Sequence, residues 1–154
     1  YILTLLKSKG KKSKFMKIPY FDWIRDMLKI SGHNSPNRDA YTDALIFAAA
    51  HRIEDYVIKD FLKNTNFLIT QRCWLDNIPY RKVQGFSQKE IFQLLQPERF
   101  TKPNVIFFLR CNYAVAYERI KNANGDKYEQ KKLMKLHEQE FEKMFIQLKK
   151  NKFR

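Results

Sequence analysis

Apolar positions along the chain switch between helical and strand-like spacing, and the switches mark out its elements. Ile2, Leu3, Leu5 and Leu6 are spaced as the end of a helix, which Ser8-Lys9-Gly10-Lys11-Lys12 stops, with Gly10 as terminator. Lys14 to Ile18 reads as a short strand ended by Pro19. Trp23, Ile24, Met27 and Leu28 return to helical spacing, and Ser31-Gly32 closes that helix. Ser35-Pro36-Asn37 is a start signal for a long helix, about Arg38 to Leu62, that carries Ala44, Leu45, Ala48, Ala49, Ile53, Val57, Ile58 and Phe61. Phe67-Leu68-Ile69 is a short apolar run of the kind a buried parallel strand uses.

The second half repeats the alternation. Ser87-Gln88-Lys89-Glu90 has the spacing of a capping box ahead of Ile91, Phe92, Leu94 and Leu95, and Pro97 ends that helix. Pro103 precedes a strand, Val105 to Leu109. Asn112 caps a helix, Tyr113 to Lys121, and Asn124-Gly125 is a turn. A Lys-rich amphipathic helix then runs from Asp126 to about Lys150. Helices alternating with short strands predict an α/β domain with a parallel sheet flanked by helices. Ligands in such sheets sit at the carboxyl ends of the strands, here Pro19-Tyr20, Gln71-Arg72-Cys73 and Arg110-Cys111-Asn112.

At 154 residues the chain suits one domain, residues 1–154. A hydrophobic content of 44%, with 13 Phe, suffices for a core and excludes a wholly disordered chain. No run approaches the roughly 18 apolar residues of a membrane helix, and no signal-peptide pattern opens the sequence. Cys73 and Cys111 form no disulfide framework or zinc spacing, so a reducing, cytoplasmic setting is expected. With 30 Lys plus Arg against 16 Asp plus Glu, the formal net charge is +14. That excess calls for an anionic partner: nucleic acid, a membrane surface or a phosphorylated small molecule. The lysines are dispersed, no nucleic-acid module occurs, and the final helix interleaves Glu129, Glu138, Glu140 and Glu142 with its lysines. This pattern suggests a solvated surface and counts against nucleic acid or membrane.

Several segments, taken in order, are similar to the thymidylate kinase family. Leu45-Ile-Phe-Ala-Ala-Ala-His51-Arg52 resembles its Phe-Ala-Ala-Asp-Arg type helix motif, and Gln71-Arg72-Cys73 stands where its strand ends in Asp-Arg-Tyr. Tyr80 has the spacing of a family aromatic residue from Gln71, and Gln84-Gly85 resembles the Gln-Gly beyond it. Lys102-Pro103-Asn104-Val105-Ile-Phe-Phe-Leu109 is similar to Lys-Pro-Asp-Leu-Val-Ile-Phe-Leu, and Val115-Ala-Tyr-Glu-Arg-Ile120 to Val-Ala-Leu-Glu-Arg-Ile. Lys17-Ile18-Pro19-Tyr20 resembles Phe-Pro-Tyr at a strand end, and Asp126-Lys-Tyr-Glu129 resembles Asp-Arg-Phe-Glu.

The resemblance implies a three-layer P-loop nucleotide-kinase-like fold and a transferase of nucleotide biosynthesis that moves the γ-phosphate of ATP, with Mg²⁺, to dTMP. It implies Arg72 as the catalytic, phosphate-contacting residue. It also implies Phe47 stacking on the base, His51 or Arg52 contacting it, and Tyr80 lining the nucleoside pocket. A homodimer through the helix of Phe47 is the family's usual state, and Ala48, Ala49 and Ala50 permit close helix packing. No Gly-x-x-x-x-Gly-Lys-Ser/Thr loop occurs in the sequence. The chain also starts at Tyr1 inside an apolar pattern. The expectation is therefore a domain incomplete at both ends, its first and last strands outside these 154 residues, and inactive as it stands. Gln71 in place of the family's Asp cannot bring negative charge to a hard cation, and it supports an alternative, a nucleotide-binding pseudo-kinase.

Overall fold

The computed structural model describes residues 1–30, 39–120 and 130–150. Helix α1 (Ile2–Ser8) leads into strand β1 (Ser13–Lys17), with Gly10 at φ +67 between them, a conformation that suits a residue without Cβ. After helices α2 (Asp22–Ile30) and α3 (Ala40–Asn64) the chain returns as β2 (Phe67–Gln71). The two strands pair in parallel, from Ser13 opposite Phe67 to Lys17 opposite Gln71. Asn66 secures this register at its start. Its side-chain oxygen accepts from the Lys12 N–H at 3.0 Å, and its own N–H donates to the Lys12 carbonyl at 2.8 Å.

The start of α3 differs in detail from the expected one. Ser35-Pro36-Asn37 and Ser31-Gly32 lie outside the described residues. The cap is Asp39, whose carboxylate accepts from the Tyr41 and Thr42 N–H groups. Those bonds hold its carboxyl below the usual range.

Past β2, a single 3-10 turn (Trp74–Asp76) leads into α4 (Asn77–Val83), a helix the apolar spacing does not announce. Pro79 does not interrupt it. It sits in the first turn of α4, where the missing N–H has no intrahelical partner to lose. Helix α5 (Gln88–Leu95) starts at the expected capping box: Ser87 accepts from the Glu90 N–H, and Glu90 accepts from the Ser87 N–H. It ends at Gln96, in the left-handed region, before Pro97.

The strand expected at 105–109 is absent as a ladder, and the sheet has two strands among the described residues. Strand pairing needs a neighbour's free edge, and no described strand lies beside this segment. The period of two survives without it. Ile106 and Phe108 are half-buried, while Val105, Phe107 and Leu109 are exposed. The Phe108 ring stacks on Phe145, 4.9 Å between centroids, from helix α7 (Lys131–Lys150). Helix α6 (Tyr113–Ile120) opens with the Asn112 side chain accepting from the Ala114 N–H. The expected Asn124-Gly125 turn and the Asp126 helix start fall outside the described residues.

Helix α3 organises the packing. It lies against α2, α4, α5 and β2, and α7 packs on α4 and α6. Ala50 joins Ile24 and Leu28 in one buried cluster, with Phe21, Ile46 and Phe47 around it. Ala48 packs beside a second cluster of Ile91, Leu95 and Phe100. The small residues of α3 let helices approach from both sides, so its polar residues are carried into the interior with it.

Candidate functional site

The carboxyl ends of β1 and β2 lie side by side, the position where parallel sheets place their ligands. The Ile18 N–H donates to the Gln71 carbonyl at 3.1 Å, after which both chains turn. On the first, the Ile18–Pro19 peptide is cis, and the Tyr20 N–H donates to Glu54 Oε1 of α3 at 2.6 Å. On the second, Arg72 holds φ +72. For a residue with a Cβ this left-handed conformation costs on the order of 1–2 kcal/mol and needs its surroundings to enforce it.

Three further side chains converge on this end of the sheet. Glu54 is 1% exposed and His51 7% exposed, with His51 Nδ1 3.2 Å from Glu54 Oε2. Asp76 of the 3-10 turn is largely enclosed. Burial pushes its carboxyl up from the usual carboxylate value, against the opposing pull of Arg72, the Cys73 N–H and His51. Arg72 and His51 therefore both act on one carboxyl. Burial, then the Asp76 charge, pushes the Cys73 thiol up to about 12, so Cys73 is no nucleophile at neutral pH.

The residues predicted from sequence divide into two groups. Arg72 stands exposed at the strand end, and His51 is buried on α3 beside Glu54. Phe47, one helical turn before His51, is half-buried against Ile24, Leu28 and Ala50, with the Arg81 guanidinium 5.5 Å from its ring centre. Arg52 and Tyr80 are directed elsewhere. Arg52 donates to the Leu95 carbonyl at 3.1 Å and lies over the Phe100 ring at 4.3 Å, closing the end of α5. Tyr80 packs against α7, its ring 4.6 Å from His137 and edge-on to Phe141.

Glu54 and Asp76 complete the cluster. The spacing of Glu54 from His51, three residues along one helix face, was a signal for the first. Asp76 carried no sequence signal beyond being a carboxylate near Arg72.

A family model for thymidylate kinase matches residues 2–153. The chain belongs to the thymidylate kinase family. Among solved structures, the thymidylate kinase from Candida albicans superposes with a TM-score of 0.67 at 23% identity. That match covers 92% of this chain and 69% of the Candida albicans chain, and at this identity it speaks for the fold. The search of curated proteins gave no match. The α/β class expected from the sequence holds, and the family places the chain among nucleotide kinases, phosphotransferases that bind a nucleotide. No described helix is long and apolar enough to cross a membrane.

Proposed function

We propose that this thymidylate kinase family member binds dTMP as the phosphate acceptor at the carboxyl ends of β1 and β2, for conversion to dTDP. The observation that carries the reading is Arg72 at φ +72 on the end of a parallel strand. Backbone strain held at a cationic residue at the ligand edge of a sheet marks a position kept for contact rather than for stability. In this reading the Arg72 guanidinium takes the acceptor phosphate through paired N–H donors. Phe47 and His51 meet the base from one face of α3. Arg52 and Tyr80 support the site from behind, by fixing α5 and packing on α7. Residues 1–154 act as one domain.

The family's donor is ATP with Mg²⁺, which would supply the transferred phosphoryl group. Among the described residues no three His, Cys, Asp or Glu side chains are grouped to hold a metal. The sequence also has no Gly-x-x-x-x-Gly-Lys-Ser/Thr loop to cradle ATP. The roles proposed for the described residues therefore lie on the acceptor side. Gln71, exposed beside Arg72 where the family has Asp, favours a second reading, a pseudo-kinase that binds the nucleotide without turning it over.

Titration calorimetry with dTMP, related deoxynucleoside monophosphates and thymidine tests the acceptor site. The expected result is binding that requires the phosphate; equal binding of thymidine, or none by any nucleotide, rejects it. Phosphate transfer from ATP and Mg²⁺ to bound dTMP then separates the kinase from the pseudo-kinase.

The family's dimer belongs to the same proposal. Leu45, Ala49, Ile53 and Tyr56 form an exposed stripe along one face of α3. Light scattering is expected to give twice the protomer mass, and Tyr56→Glu to return a monomer.

A further inference from the structure

We propose that Glu54 is a positioning residue, which holds the Pro19–Tyr20 turn by a hydrogen bond and sets the proton position on the His51 imidazole by its charge, at the edge of the acceptor site. The inference rests on the dTMP reading above. Glu54 is among the most enclosed side chains of the protein, at 1% exposure, and its two oxygens face different neighbours. Oε1 accepts the Tyr20 N–H at 2.6 Å, 34 residues away in sequence. Oε2 lies 3.2 Å from His51 Nδ1, one turn back on the same helix. Oε2 makes no hydrogen bond in this geometry, so Glu54 acts on His51 through charge and proximity and on Tyr20 through one hydrogen bond. It thereby ties the end of β1 to α3, the two sides between which the carboxyl end of the sheet opens.

The consequence falls on His51. A carboxylate 3.2 Å from Nδ1 favours the proton on that nitrogen. Nε2 is then the edge the imidazole offers to a bound base. A neutral ring held this way presents an acceptor at Nε2, which suits a base edge that donates an N–H, as thymine and uracil do at N3. Cytosine has an unprotonated ring nitrogen at that place. Glu54 therefore acts on selectivity through His51 without touching the nucleotide itself. Outer carboxylates act on metal-ligating histidines in a comparable way, and their removal costs about 10–100-fold in metal affinity.

Glu54→Gln is the decisive variant. The amide oxygen can still take the Tyr20 N–H, but the anion beside His51 is gone. Two readouts are needed: the dTMP dissociation constant by calorimetry, and the His51 ring nitrogens by nitrogen-15 NMR. The expected result is binding weaker by about tenfold, with the His51 proton moving from Nδ1 towards Nε2.

Asp55→Ala is the control. Asp55 is the next residue on α3 and is equally enclosed, but it faces Thr101 and Lys59 rather than the sheet end. It is expected to lower thermal stability and leave both readouts unchanged. Wild-type affinity and a wild-type His51 signature in Glu54→Gln overturn the inference alone, and equal changes in Asp55→Ala do the same. A wild-type protein that binds no dTMP overturns it together with the acceptor reading. Should Glu54→Gln fail to fold, the wild-type spectrum decides: a proton on Nδ1 of His51 supports the inference, and one on Nε2 overturns it.

Discussion

Removing the Arg72 guanidinium is expected to weaken dTMP binding about ten- to hundredfold, whether the replacement is alanine or glycine. The loss corresponds to charge-assisted hydrogen bonds to phosphate, roughly 1.5–3 kcal/mol. The two variants part on stability. Both lose the cation that opposes the burial of Asp76. They differ in a single Cβ at a backbone held at φ +72. Glycine adopts that conformation without the steric cost, at the expense of extra freedom in the unfolded chain. Arg72→Gly is therefore expected to be more stable than Arg72→Ala by about 1 kcal/mol, or roughly 2–4 °C in a domain of this size. Calorimetric titration with dTMP and a thermal melt of each variant check both halves. Unchanged affinity in Arg72→Ala takes the guanidinium out of the site. Equal melting temperatures show that the strand end stores no strain.

Arg72 also marks how far the sequence could be read. Its identity and its place at a strand end follow from Phe67-Leu68-Ile69 and the residues after it, because a short apolar run and its terminus are local features. Its backbone angle does not follow, since nothing in Gln71-Arg72-Cys73 asks for a left-handed residue. The helices were legible wherever a cap or a breaker agreed with the apolar spacing, as at Ser87 with Glu90 and at Gln96-Pro97. Helix α4 was missed because its seven residues are too few to show a helical period of apolar positions.

The segment 105–109 shows the opposite failure. Its alternation is real, and Phe108 packs inward as the pattern requires, but alternation reports a burial pattern and not a hydrogen-bonding neighbour. At the site, Phe47 and His51 could be placed together by helical spacing alone. The pairing of Glu54 with the Tyr20 backbone and of Arg52 with the end of α5 depends on which elements pack on α3. Long side chains such as Arg52 reach whatever polar group their neighbours leave open, and periodicity along one helix does not contain that information.

Asp55→Ala is expected to cost about 2–3 kcal/mol of stability at neutral pH and to leave dTMP affinity intact. Asp55 is 3% exposed. One of its oxygens accepts the Thr101 N–H at 2.8 Å, and the other pairs with Lys59 Nζ at 2.7 Å. It thus anchors the chain after the second core cluster to α3, across 46 residues of sequence. Alanine leaves the Thr101 N–H without its acceptor and Lys59 without its partner.

Burial alone pushes the Asp55 carboxyl up, but the bonds from Lys59 and Thr101 outweigh it. The net position lies below the ordinary 3.8. A carboxyl lowered on folding keeps the folded state short of a proton that the unfolded chain takes up, so stability falls as pH falls through this range. The contribution of Asp55 is thus complete above about pH 3.8 and is lost as pH drops through its lower folded value. Urea unfolding of wild type and Asp55→Ala between pH 7 and pH 3 should show a constant gap down to about pH 4 and a narrowing one below it. Self-repulsion from the net charge of +14 acts on both proteins, and the removal of one carboxylate changes it only slightly. A gap that stays constant to pH 3, or one that widens on acidification, contradicts the assignment of Asp55 as an ionised anchor.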